Sequence, residues 1–367
     1  MSEVPALLPR SLSQKYWRLR RHIIALIKYA TPFRLVNLLR LEAERISGRT
    51  RLKGRPYIIV IDPINVCNLK CPFCPTGYGG LPLKPGRMEL DLYKMFIDQI
   101  ARHTIKLILY NWGEPFLHKD ILSMIRYAHR KRIATVISTN LNVMPTGGAE
   151  AIVKSGLDDL IISCDGLSQR TYEIYRRGGD LSRVVANLQS IAEAKSKLRS
   201  QSPVIEFQYL VFRHNEHEVG RVESFAKDRG ADFVRICKPY LNMDSEEVKP
   251  ATNPAYVRNQ YLDATKSQSP DLDIFSPGAD QEACVAENPP PLKCFWPWRS
   301  MVINWNGQVD PCCGKNYLSG FGNVFEAPFE KIWNGPLYRY ARGWIKGRRK
   351  NDKRFLIVCR GCPGYEG

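Results

Sequence analysis

The chain has 367 residues, 44% of them hydrophobic and 25% charged, with a formal net charge of +18. This is a globular composition, and it excludes disorder, collagen and coiled coil as whole-chain descriptions. No uncharged apolar run reaches the roughly 18 residues of a membrane span, and the amino terminus lacks the marks of a secretory signal, so a cytoplasmic protein is expected.

The charge is unevenly placed. Residues 1–55 hold 13 Lys/Arg against 3 Asp/Glu, and residues 338–360 hold 9 against 1, while the rest of the chain is neutral. A neutral body with two basic segments suggests local contact with a polyanion or a membrane surface; a chain coated in nucleic acid is not expected.

In chain order, residues 1–56 predict a basic helical extension. Leu12, Tyr16, Leu19, Ile23, Ile27 and Ala30 step by three and four, which is one helical face. Thr31-Pro32 is a cap-and-restart signal and Gly48 a stop. Two readings stay open for residues 11–47. They form either a hairpin packed on the body, or an amphipathic contact with an anionic membrane face or RNA.

Residues 57–240 then alternate strand and helix. The predicted strands are 57–62, 106–110, 133–138, 159–164, 204–212 and 232–238. Helices are predicted near 89–102, 120–131, 147–155, 180–199 and 217–229. Six βα units imply a parallel sheet covered by helices, as a partial barrel or a doubly wound sheet. Residues 241–293 lose the rhythm and predict a linker with a short helix near 254–267. Residues 294–367 predict a small Cys-rich α+β domain. In it, a hairpin is expected to turn on the two residues Asn306-Gly307, and EKIWN and 336–346 are expected to be helical.

Eleven cysteines without an export signal point to metal more than to disulfides. Cys67, Cys71 and Cys74 are spaced Cys-x3-Cys-x2-Cys in the loop after the first strand, where parallel α/β folds place their sites. Three thiolates hold three irons of a [4Fe–4S] cluster and leave the fourth open. The alternative is a zinc site completed by a distant ligand.

With Phe73 just before the third Cys, this motif resembles that of the radical S-adenosylmethionine (SAM) superfamily. The resemblance implies a partial (β/α)6 barrel and a catalytic [4Fe–4S] cluster. SAM would bind the open iron and be cleaved, by one electron from a flavodoxin- or ferredoxin-type donor, to a 5′-deoxyadenosyl radical. NWGEP (111–115) is similar to the family's Gly-Gly-Glu-Pro, with Trp112 in place of the first Gly. That assigns Gly113 and Glu114 to the methionyl amine. By the same resemblance Ser138 and Asn140 are ribose contacts, Ser163 and Arg176 hold the SAM carboxylate, and Asn215 and Glu218 position the barrel wall.

Cys294, the Gly307-x4-Cys312 step and Cys359-x2-Cys362 resemble the SPASM/Twitch extension. Because the chain ends soon after Cys362, the single auxiliary [4Fe–4S] cluster of the Twitch type is expected, a layout similar to that of a radical SAM alcohol dehydrogenase. Four structural cysteines on zinc are the alternative. Cys313 is a candidate hydrogen-atom donor. Cys164, Cys237 and Cys284 suit small buried apolar positions, and the histidines show no ligand pairing. The leading expectation is two-electron oxidation of a small sugar-, cyclitol- or lipid-linked substrate. A peptide maturase and a redox-neutral epimerase using a Cys donor are the alternatives.

Overall fold

Short runs of Ile, Val and Leu become the strands of one sheet, in the near-continuous apolar pattern of parallel strands covered on both faces. A computed structural model describes residues 19, 21, 23–239, 245, 247–257, 294–312, 320–348, 355, 357 and 359. The six barrel strands are β1 (Ile58–Ile61), β2 (Lys106–Ile108), β3 (Ala134–Thr139), β4 (Asp159–Ser163), β5 (Val204–Leu210) and β6 (Phe233–Cys237). They lie side by side in sequence order, every neighbouring pair parallel. Ile59, Leu107, Leu160 and Ile205 are fully buried between the helical layer and the barrel interior.

The sheet continues beyond β1. Strand β7 (Ser300–Ile303) pairs parallel with β1, Ile58 opposite Ser300 and Ile61 opposite Ile303, and β8 (Val309–Asp310) returns antiparallel. The Cys-rich segment is therefore hydrogen-bonded to the strand that feeds the first cysteine motif. The turn between β7 and β8 differs from the expected two-residue form. Gly307 N–H donates to Asn304 O at 2.8 Å and Asn304 N–H to Gln308 O at 2.9 Å, with Gly307 at φ +85°. This is a three-residue loop whose last position is left-handed, and Gly307 takes it without a Cβ penalty.

The helices include the predicted stretches within a few residues, together with three short ones that were not expected, at Pro75–Tyr78, Gln169–Tyr175 and Trp296–Arg299. After α1 (Pro32–Ile46) and the short α2 (Pro75–Tyr78) come α3 (Leu90–Ile100), α4 (Ile121–Arg130), α5 (Gly148–Lys154), α6 (Gln169–Tyr175) and α7 (Leu181–Lys197). The stretch near 217–229 is split into a 3₁₀-helix (Glu216–Arg221) and α8 (Val222–Lys227). Of the expected linker helix, the described residues contain a 3₁₀ turn at Pro254–Tyr256. The remaining helices are α9 (Trp296–Arg299), α10 (Phe329–Trp333) and α11 (Pro336–Ile345). Buried Arg342 of α11 donates to Pro297 O of α9 and to Thr50 O, tying the carboxyl-terminal helices to the segment that leads into β1. No helix among the described residues is long and apolar enough to cross a membrane.

The amino-terminal helices do pack on the body, mainly through polar side chains, with Tyr29 and Leu41 buried beside them. In α1, Thr31 caps the first turn. Arg34 is buried and donates to the carbonyls of Tyr29, Ala101, Lys131 and Arg132. Asn37 exchanges hydrogen bonds with the backbone of Arg55, and Glu44 accepts from Lys53 and Gly54 N–H. Arg21, on the preceding helical stretch, bonds Asp159 of β4 and Glu206 of β5. The stripe Leu19, Ile23 and Ile27 therefore faces outward, and Leu12 and Tyr16 lie outside the described residues.

Candidate active site at the carboxyl ends of the strands

Asp62 follows β1 directly and turns the chain into the Cys67–Cys74 loop. Its carboxylate accepts from Trp112 and Gly113 N–H at 3.3 and 3.5 Å, which joins the β1 and β2 loops. Gly113 passes so close to β1's loop that a Cβ would lie 1.7 Å from Ile64 O. Only glycine fits. Gly77 is similarly constrained, because a Cβ there would lie 2.4 Å from Cys71 O. Both close approaches hold the cysteine loop to its neighbours.

The loop rests on an aromatic floor. Phe73, Tyr175 and Phe212 form a ring cluster, with 4.5 Å between the Tyr175 and Phe212 centroids. Leu69, Cys71 and Val248 are buried in the same group, with Cys67 and Cys74 packed against it. Three N–H groups point at the sulfurs: Leu69 N–H (3.4 Å) and Asn140 Nδ2 (3.6 Å) at Cys67, and Arg176 Nη1 (3.9 Å) at Cys71. Thiol sulfur is a weak acceptor and thiolate a strong one, so these donors suit the anionic form. Burial is the largest cause that pushes the Cys67 thiol up to about 12 and the Cys71 thiol up to about 11, the latter against the pull of Arg176. A bound metal would hold both deprotonated.

Among the described residues, no three His, Cys, Asp or Glu groups surround one point as a mononuclear ion needs. Three cysteines on one loop, two of them with N–H donors at their sulfurs, fit a cluster in which each thiolate takes its own iron. The donor set suits a [4Fe–4S] cluster with one open iron.

The other predicted residues converge on this loop. Glu114 is buried. Its Oε1 accepts from Phe116 N–H (3.0 Å) and the Thr139 hydroxyl (2.7 Å), and its Oε2 accepts from Asn140 N–H (2.8 Å). Burial outweighs these donors and raises its pKa. Its carboxylate thus clamps the β2 loop to the β3 loop, and both oxygens are occupied within the protein. Asn140 bonds Asn68 Oδ1 as well as Cys67. The Ser138 and Ser163 hydroxyls, at the ends of β3 and β4, are 3.2 Å apart. Arg176 Nε donates to Asp165 at 2.6 Å, and Asp165 Oδ1 accepts from Leu210 N–H.

Asn215, fully buried, bonds Asp165 O and Leu210 O. Glu218 accepts from Leu167 N–H and from the Thr171 and Tyr209 hydroxyls. Together they stitch the β4 loop to β5. Sequence reasoning passed over Asp62 and Asp165. Each is the acid immediately after a strand or its terminal Ser-Cys pair, which was the available signal.

In the carboxyl-terminal segment, Cys294 precedes α9, Cys312 follows β8, and Cys359 is buried. The Tyr338 hydroxyl of α11 is close enough to Cys312 and Cys359 for their charges to bear on it. Cys362, the fourth expected ligand, and Cys313, the candidate hydrogen donor, lie outside the described residues, as does Cys284. Cys164 is buried with its thiol on Gly166 O, a packing position.

Residues 61–226 match the family model of the radical SAM superfamily, and residues 294–363 match that of an iron–sulfur cluster-binding domain, SPASM. The chain is 24% identical over 343 residues to the AdoMet-dependent heme synthase of Methanosarcina barkeri, across 85% of this chain and 92% of that protein. To the PqqA peptide cyclase of Granulibacter bethesdensis it is 23% identical, across 84% and 82%. Among solved structures, Streptococcus suis SuiB bound to S-adenosylmethionine aligns with a TM-score of 0.60 at 17% identity, over 94% of this chain and 81% of that one. The anSMEcpe structure with bound AdoMet aligns at 0.53 and 16% identity, over 77% and 81%.

Proposed function

Because this chain belongs to the radical SAM superfamily and carries a SPASM iron–sulfur domain, we propose that it catalyses a net two-electron oxidation at an unactivated C–H bond of a small substrate. When bound, the catalytic cluster and SAM would supply a 5′-deoxyadenosyl radical as the hydrogen-atom acceptor, and the auxiliary iron–sulfur centre would supply an acceptor for the second electron, the second proton being left to solvent or a base. Cys67, Cys71 and Cys74 would hold the catalytic cluster. Gly113 brings its backbone to the SAM methionyl end, and Glu114 and Asn140 fix the loops around it. Ser138 and Ser163 present hydroxyls at adjacent strand ends, and Arg176, oriented by Asp165, offers a cation beside Cys71.

The observation that carries the oxidative reading is the β1–β7 pairing. It builds the second cysteine segment into the same sheet as the catalytic loop, a rigid frame for passing an electron between centres. The heme synthase relative supports a small substrate. A peptide substrate is the second reading, favoured by the peptide cyclase relative and by the structure of SuiB bound to its precursor peptide SuiA, which aligns at a TM-score of 0.60.

Anaerobic iron analysis tests the two-centre arrangement. About eight irons per chain, falling to about four in the Cys67/Cys71/Cys74→Ala variant, are expected for two [4Fe–4S] clusters. About four irons falling to none would remove the electron acceptor and the oxidation with it. Deuterium transfer to 5′-deoxyadenosine from a deuterated extract, separated into small-molecule and peptide fractions, decides the substrate class.

A further inference from the structure

The described surface carries thirteen exposed large hydrophobic side chains, and nine of them fall within residues 19–46. They recur at helical spacing on two consecutive helices. Leu19, Ile23 and Ile27 are 59%, 44% and 79% exposed, and Val36, Leu39 and Ile46 of α1 are 54%, 67% and 72% exposed. Pro32 and Ala43 extend the second stripe. A helix docked on a globular body normally buries its apolar face. Here α1 buries Leu41 in the core and is otherwise docked through Arg34, Asn37 and Glu44, each bonded to backbone groups, while the stripe of Val36, Leu39 and Ile46 is turned outward. The polar anchors orient the helices, so the outward stripe is a presented surface.

Its rim is basic. Arg102 lies over the Phe33 ring at 4.0 Å, and Arg132 donates to Lys28 O. Arg40 is exposed on α1 itself. Near the rim, Asp98 is paired with Lys131, Asp158 with Lys28 and Glu42 with Arg45 and Arg299. Residues 1–55 together carry the 13-to-3 excess of basic side chains. An apolar stripe bordered by cations is complementary to one partner chemistry, an anionic bilayer surface: hydrocarbon below, phosphate above.

We propose that residues 19–46 lie on an anionic membrane surface. The placement also sets the orientation. Both helices contact the amino ends of the strands: Arg21 at Asp159 and Glu206, Arg34 at the turns before β2 and β3, and Asn37 ahead of β1. The Cys67–Cys74 loop lies at the opposite, carboxyl ends. The mouth of the barrel therefore faces the aqueous side, and substrate arrives from solution.

The test is co-sedimentation of the full, iron-loaded chain with phosphatidylcholine vesicles, with and without phosphatidylglycerol. The wild type is expected to pellet with the anionic vesicles and not the neutral ones, and high salt is expected to release it. The Ile27→Glu/Leu39→Glu double variant is expected to lower the bound fraction at least about tenfold. Both positions are largely exposed, so its iron content and far-UV circular dichroism should match wild type. Three results would overturn the proposal: wild type that stays in the supernatant, equal pelleting of the double variant, or equal binding to neutral vesicles. A wild-type dimer that the double variant converts to monomer, without vesicle binding, would assign the face to a second copy instead.

Discussion

Replacing Glu114 with Gln changes almost no volume, yet it removes one acceptor from a site where all acceptors are used. Glu114 takes two donors on Oε1 and one on Oε2, namely Phe116 N–H, the Thr139 hydroxyl and Asn140 N–H. Gln presents one oxygen and one NH2. With the oxygen kept toward Phe116 and Thr139, the NH2 faces Asn140 N–H, two donors at about hydrogen-bond distance. With the amide flipped, it faces Phe116 N–H. Either way one buried N–H loses its acceptor, and the remaining bonds lose their charge assistance. A lost bond to a charged group and an unsatisfied buried donor together cost about 3 kcal/mol. That corresponds to about two decades in a local opening constant. Native-state hydrogen exchange over residues 139–142 reads it directly. Asn140 is expected to exchange about a hundredfold faster in Glu114→Gln. Thr139→Ser, which keeps the hydroxyl, should leave it near wild type. An Asn140 amide unchanged by Glu114→Gln would refute the clamp and the role given to the buried carboxylate.

Other consequences follow from the same geometry. Gly113→Ala places a Cβ 1.7 Å from Ile64 O; reductive formation of 5′-deoxyadenosine is expected to fall by about two orders of magnitude or more. Gly220→Ala, whose Cβ would meet no atom within 4 Å, should leave that rate unchanged. Burial pushes His103 and His214 down to about 4 from 6.5, so between those pH values the unfolded chain binds protons that the folded one does not. Stability is therefore lost as pH falls through that window, by about 2 kcal/mol per ring after allowing for partial solvation. Urea midpoints at pH 7 and pH 4.5 should diverge in wild type and converge in the His103→Gln/His214→Gln variant; an unchanged gap would count against burial as the cause.

Local information settled much of this protein. Parallel strands covered on both faces are largely apolar, so the six barrel strands were legible as short β-branched, Leu and aromatic runs, even with Glu206 and Gln208 in β5 and Arg235 in β6, to within a residue or two at their ends. The Cys-x3-Cys-x2-Cys spacing pointed to a cluster with an open iron, because ligand number and spacing are properties of the chain itself, and the family resemblance supplied the rest. Glu114, Ser138, Asn140 and Ser163 were singled out by resemblance to the family's motifs, and their places after successive strands agree with the rule that sites gather at carboxyl ends.

Contacts between distant segments were not legible. The pairing of β7 with β1 joins residues more than two hundred positions apart, and nothing in either strand specifies its partner. The closure of both Glu114 oxygens by the β3 loop depends on the spacing of two loops, and Asp165's hold on Arg176 depends on the fold of the loop between them. The direction of the amino-terminal stripe is the sharpest case. The periodicity of Leu19, Ile23 and Ile27 shows that one face is apolar, but a period carries no information about which way that face points. That was decided by Arg21, Arg34, Asn37 and Glu44, whose partners are backbone and carboxylate groups brought to the base of the barrel only when the chain has folded.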